Sequence, residues 1–272
     1  MTRQGNHEFW KSLGRAFGGA LIFAFPLMMT MEMWWLGFYL DRFKIALFVA
    51  VLLPTLVGLS YYSGFRQTFD LKEDAIDALV AFAVGMAMSA LFLTLFGVLR
   101  PGMSLDTVLG KVILLTVPAS MGAILASKQL GQKDENEQEL QEAGYLGELF
   151  IMAAGALLLA FNVAPTEEMI LIAYQMTAWH ALALAIVTLL IMHAIVYTVG
   201  FRGQEQGPEG ATFWRLFNHF TVVGYAIGLL VSLYVLWTFG HLKGNGFNMI
   251  VMTTMVLSFP AGVGAAVSRL VI

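Results

Sequence analysis

Two glutamates, Glu32 and Glu168, stand inside long apolar stretches, at matching places in two similar segments. An ionisable group inside a membrane helix costs about 2.5–3.5 kcal/mol or more near the bilayer centre. Paired carboxylates share a proton or bind a cation, because two adjacent charges cannot both ionise cheaply. Carboxylate oxygens are also the ligands that hard cations take. Glu167 adjoins Glu168, but its counterpart Met31 is apolar. Thr30 and Thr166, each two residues earlier, offer hydroxyl ligands, although that spacing does not share one side of a regular helix. These five residues are the candidate ion pathway. The plainer role for each acid is a hydrogen bond to nearby backbone or contact with interfacial water.

Other groups carry weaker signals. His180 and His193 suit a proton relay, since imidazole titrates near neutrality. The plainer role is a buried ring with one hydrogen-bond partner, and the same holds for His219. The histidine separations match no metal-ligand motif. Asn162 suits an interhelical hydrogen bond. Met28, Met29, Met31 and Met33 cluster, and thioethers suit Cu(I), but no cysteine or adjacent histidine completes that site. Gap-filling and lipid contact suit them better. Pro118 and Pro260 are expected to kink their helices, either for packing or as a gating hinge. Hydrolase, kinase and P-loop signatures are missing, so the chain is not expected to be an enzyme or to hold a cofactor.

These residues must be positioned by membrane helices. The chain has 272 residues, 58% hydrophobic and 12% charged. Soluble globular chains run about 45–50% apolar and about 25% charged. The composition excludes a soluble enzyme, a disordered protein and a nucleic-acid binder. A bilayer core of about 30 Å takes roughly 20 apolar residues as a helix. Eight segments qualify, at residues 16–38, 44–62, 75–99, 107–127, 146–163, 174–199, 213–239 and 247–271. Counted along the first, Glu32 falls about 24 Å from the inner end, in the outer third. Residues 7–15 read as a short interfacial helix or a frayed tail. With the N-terminus inside, ten Lys and Arg face inward and five outward, which favours cytoplasmic termini. The first span is too long for a cleaved signal and is expected to be retained.

The chain also repeats itself. Residues 19–33, GALIFAFPLMMTMEM, match residues 155–169, GALLLAFNVAPTEEM, at eight of fifteen positions. Tyr61 with Gly64-Phe65-Arg66 matches Tyr197 with Gly200-Phe201-Arg202 at the same offset. Pro118-Ala119-Ser120-Met121-Gly122-Ala123 resembles Pro260-Ala261-Gly262-Val263-Gly264-Ala265. Apolar composition alone does not place a shared Glu and a shared Gly-Phe-Arg in one order. The predicted fold is an all-α membrane protein. Its eight transmembrane helices form two four-helix repeats, at residues 1–131 and 146–272. An even number of spans makes these repeats parallel. Residues 132–145 form an acidic cytoplasmic linker, a solvated connector or a cation sensor.

The run GALIFAFPLMMTMEMWWLGF at residues 19–38, with Leu59-Ser60-Tyr61-Tyr62 and Ala164-Pro165-Thr166-Glu167-Glu168, resembles a bacterial family of eight-span integral membrane proteins of unestablished function. The resemblance covers nearly the whole chain. It implies a multi-pass fold in the bacterial cytoplasmic membrane and a small membrane-anchored partner protein. The expected function is ion translocation, as a channel or transporter moving protons or metal cations past Glu32 and Glu168. The alternative is a non-conducting scaffold or sensor acting with a partner. The lipid bilayer is the expected surrounding, a homo-oligomer is open, and nucleic acid is not an expected partner.

Overall fold

The computed structural model describes residues 3–63, 71–129, 145–198, 214 and 217–271. Regular structure among the described residues is helical throughout. The chain divides into two compact units, Met1–Ala143 and Gly144–Ile272. The first contains α1 (Arg3–Met28), α2 (Met31–Tyr39), α3 (Arg42–Ser63), α4 (Leu71–Leu95) and α5 (Leu105–Gln129). The second contains α6 (Tyr145–Val163), α7 (Glu167–Gln175), α8 (Ala178–Thr198), a π-helical turn (Phe217–Val222), α9 (Val223–Phe239) and α10 (Phe247–Val271). Seven helices are long and apolar enough to cross a membrane, and the pair α1–α2 makes an eighth if counted as one span. Their apolar residues cover all sides, as expected where one face meets protein and the other lipid. The protein is therefore a multi-pass, all-helical integral membrane protein.

The first expected span is not one straight helix. It breaks at Met29 and Thr30, and α2 leaves α1 at 86°. Pro26 lies within the continuous part of α1, three residues before the break. The last turn of α1 then tightens, with the Met29 amide donating to Pro26 O at 3.3 Å and the Thr30 amide to Leu27 O at 3.1 Å. Glu32 therefore does not lie along a straight transmembrane rod. It occupies the first turn of a short helix that turns away from the span. In the second unit α6 ends at Val163 and the nine-residue α7 stands alone, so the sixth expected span starts at Ala178 rather than Tyr174. At the N-terminus, residues 7–15 form no separate helix but continue into α1. Pro118 and Pro260 lie inside helices that run unbroken, so neither marks the interruption in its unit.

Each unit is organised around its last helix. In the first, α5 contacts α1, α2, α3 and α4, and in the second α10 contacts α6, α7, α8 and α9. The small residues after Pro118 and Pro260 permit this. Between lipid-embedded helices, small side chains let backbones approach closely. A Cβ placed on Gly19 would lie 2.3 Å from Gly122 O, and one on Gly122 would lie 2.6 Å from Gly19 O. A Cβ on Gly155 would lie 2.4 Å from Gly264 O, and one on Gly264 would lie 2.2 Å from Gly155 O. Both crossings are thus built on facing glycines. Gly85 meets Ser120, and Gly228 meets Gly262, in similar approaches of α4 to α5 and α9 to α10. The acidic linker and both Gly-Phe-Arg triplets lie outside the described residues.

Candidate functional site at the two short helices

The short helices α2 and α7 carry every residue of the expected ion pathway in their first turns or at their N-caps. Thr30 and Thr166 are the N-caps, with extended backbone. Neither hydroxyl caps its own helix. Thr30 Oγ1 donates to Pro26 O at 2.7 Å, and Thr166 Oγ1 donates to Val163 O at 2.8 Å. Each threonine thus turns back and ties the break to the preceding helix. Each of these carbonyls also accepts a backbone amide, from Met29 at Pro26 O and from Thr166 at Val163 O, so the hydroxyl adds a second bond. Both hydroxyl protons are occupied structurally.

Glu32 is the second residue of α2 and Glu168 the second of α7. Glu32 is half-buried, whereas Glu167 and Glu168 are exposed. A negative side chain in the first turn meets the positive end of the helix dipole, worth about 0.3–1 kcal/mol at exposed positions. That accounts for tolerance of the charge near an interface. Glu32 and Glu168 belong to different units. Among the described residues there is no group of three or more His, Asp or Glu able to hold a metal ion.

Trp34 is a further part of the site. Its indole Nε1 donates to Met28 O at 2.8 Å, fastening α2 to the end of α1 across the break. The signal was available in the sequence: an indole a few residues beyond a helix end can reach the freed carbonyls. The rest of α2 has two apolar faces. Met33 and Leu36 are buried with Gly37 against the unit, while Met31, Trp35, Phe38 and Tyr39 are exposed. Gly37 lies so close to α5 that a Cβ there would be 2.5 Å from the Lys111 Cα. The exposed face suits the membrane interface, where Trp and Tyr concentrate. In α7 the exposed positions include Glu167, Glu168 and Gln175 beside Leu171, Ile172 and Tyr174. The methionine cluster is split, with Met28 and Met33 buried in the packing and Met29 and Met31 exposed.

The two histidines have local partners. His180 is the third residue of α8, and its Nδ1 accepts from the Thr177 amide at 3.2 Å. This is one half of a capping box, with imidazole in place of the usual carboxylate, and the Thr177 hydroxyl lies 2.8 Å from the same nitrogen. His193 Nδ1 lies 3.1 Å from Thr221 Oγ1, and its ring meets Phe217 edge-on. The side chain of His219 lies outside the described residues. Asn162 donates to Leu158 O, four residues back in its own helix, rather than across helices.

A second polar centre went unseen in the sequence. Glu148, near the start of the fifth expected span, lies in the first turn of α6 and pairs with Arg269 in the last turn of α10 at 3.0 Å. Both side chains are about five-sixths buried, at 17% and 16% exposed. The pair is not aligned as a hydrogen bond, and the Arg269 guanidinium also lies over the Phe220 ring at 4.3 Å. The corresponding cation–acid contact of the first unit, Arg42 with Asp106, is on the surface between the starts of α3 and α5.

No curated protein and no solved structure matches the chain. A model of the family described as "Putative integral membrane protein (DUF2391)" matches residues 12–272, nearly the full length. With its apolar helices, two glycine crossings and interrupted first span, the chain belongs to this family of integral membrane proteins.

Proposed function

We propose that the protein translocates protons or cations across a bacterial cytoplasmic membrane, as a channel or transporter, with Glu32 and Glu168 on the path. The observation that supports this most directly is the recurrence of one arrangement. In each unit a helix ends, a threonine folds back on it, and a glutamate stands second in a short helix. Ion sites in transporters are often formed where membrane helices are interrupted. The threonine hydroxyls donate their protons to the preceding helices, so the carboxylates, with the threonine oxygens as further ligands, are the groups that meet an ion. Glu167 is a secondary contact on the same exposed turn. The reading assigns no enzymatic step and no cofactor.

We also read the two units as a duplication with parallel topology and cytoplasmic termini. The sequence match, the central last helix and the paired glycine crossings support it. Ion flux into proteoliposomes tests the main proposal, with protons, sodium, potassium and calcium supplied separately. Wild type should exceed empty vesicles for at least one ion. Glu32→Gln and Glu168→Gln should lower that flux with the fold intact. Wild-type flux equal to that of empty vesicles overturns constitutive translocation.

A second reading is a non-conducting scaffold or sensor working with a small membrane-anchored partner or as a homo-oligomer. The close packing of both central helices favours it, because neither tolerates added volume at its crossings. Retained partner binding by protein that conducts no ion would distinguish this reading.

A further inference from the structure

The second unit contains a cavity of about 10 Å³, lined by Met152, Met192, Phe220, Thr221, Ala266 and Arg269. That is about the least space that holds one water. Two of its walls are polar. Arg269 Nη1 is buried without a protein hydrogen-bond partner among the described residues. Thr221 is 4% exposed, and its hydroxyl lies 3.1 Å from His193 Nδ1. Phe220 and Thr221 belong to the π-helical turn Phe217–Val222, where the backbone departs from regular α geometry. Such turns occur often at functional positions.

We propose that this cavity is a built hydration site holding one ordered water. The water accepts a hydrogen bond from Arg269 Nη1 and shares one with the Thr221 hydroxyl. It therefore joins the Glu148–Arg269 ion pair of α6 and α10 to the Thr221–His193 pair of the π turn and α8. An anion does not suit the site, because Glu148 already offsets the guanidinium and the space is too small. A metal cation does not suit it, because the guanidinium repels it. The π turn provides the wall that a regular helix would close. This hydration site stands whether or not ions cross past Glu32 and Glu168.

Hydroxyl-radical labelling generated by X-ray radiolysis tests the site in the full-length protein in nanodiscs. Radicals form from bound waters and oxidise adjacent thioethers, even buried ones. Met152 and Met192 are 1% and 2% exposed, close to the 0% and 1% of Met88 and Met121 in the packed first unit. Met152 and Met192 should oxidise several-fold faster than Met88 and Met121. Equal, slow oxidation of all four overturns the proposal. Ala266→Val fills the cavity and should remove the excess labelling; excess that persists in folded Ala266→Val also overturns it. Thr221→Val, which keeps the side-chain volume and removes the hydroxyl, serves if Ala266→Val does not fold, and should likewise reduce the labelling. Unchanged labelling in that variant counts against the site.

Discussion

Gly18 and Gly19 are neighbours in α1, and the structure assigns them opposite responses to an added methyl group. At Gly18 a Cβ meets nothing within 4 Å. At Gly19 it would lie 2.2 Å from Ala126 Cβ and 2.3 Å from Gly122 O, where ordinary contact begins near 3.4 Å. The obstructing atoms are backbone or Cβ, so no rotamer change relieves them. The helices α1 and α5 must separate by about 1 Å, and a gap of that size forfeits about a quarter to a half of each dispersion contact. Overpacking of a fitted core costs about 1–3 kcal/mol. Alanine returns about 0.5–1 kcal/mol of helix propensity over glycine. Gly19→Ala should therefore lose about 1 kcal/mol net, while Gly18→Ala should be neutral or gain up to about 1 kcal/mol. The same reasoning applies to Gly155→Ala against Gly264 in the second unit. Reversible unfolding of full-length variants in bicelles, followed by steric trapping, measures the difference. If Gly18→Ala and Gly19→Ala agree within about 0.5 kcal/mol, the ordinary scatter of surface changes, the glycine crossing is not the contact that holds α1 to α5.

The two ion pairs should behave differently. Breaking the buried Arg269–Glu148 pair by Arg269→Met should cost about 3–5 kcal/mol, because a carboxylate stays buried without its cation. Asp106→Asn, at an exposed pair screened by solvent, should change the unfolding free energy by at most about 1 kcal/mol. Equal effects in thermal melts would contradict the burial assigned to Arg269. Trp34→Phe removes the indole bond to Met28 O and should cost about 1 kcal/mol locally. Hydrogen exchange at the amides around Thr30 should accelerate in that variant, and unchanged exchange would mean that the break is held by other contacts. Glu168→Gln removes a first-turn charge worth at most about 1 kcal/mol, so its loss of flux should come without a comparable loss of stability. Flux and stability falling together would make Glu168 a structural residue.

The span count was legible because membrane helices need only length and apolar composition. The glycine crossings were legible as motifs but not as contacts, since Pro-Ala-x-x-Gly-Ala does not say which helix it meets. The break after α1 was misplaced because an apolar run reads the same straight or bent. Thr30 and Trp34 together carry that information, but only through side chain to backbone hydrogen bonds. Pro118 and Pro260 lie inside helices that continue past them, so a proline in an apolar run does not by itself mark where a helix ends. Glu148 and Arg269 stand inside expected spans that lie far apart in the sequence, so nothing local joins them. Their pairing depends on α6 and α10 lying side by side, which is tertiary information. His180 and His193 each have a hydrogen-bond partner, but His180 is exposed and His193 only half-buried, so neither is the buried ring that the sequence suggested.

Under the proposed duplication, the two units agree most where helices cross and differ most at the short helices and at the end bearing Arg269. Agreement at the crossings is what packing requires, because a substitution there displaces a backbone. Divergence at the short helices is harder to assign to packing. Both faces of α2 are apolar, and Trp34 clamps it to α1. In α7 the position matching Trp34 is Ile170, which cannot donate, and two exposed carboxylates stand where α2 has one half-buried acid. If both helices served only to turn the chain at an interface, there would be little reason for one to carry more charge. The asymmetry instead suits unequal roles, with α2 a fixed wall and α7 the charged, less constrained element. Flux should then depend more steeply on Glu168 than on Glu32. Trp34→Phe, by loosening α2, should bring the effect of Glu32→Gln closer to that of Glu168→Gln. Equal dependence on both glutamates in the wild-type background would remove the distinction and leave the asymmetry without a functional account.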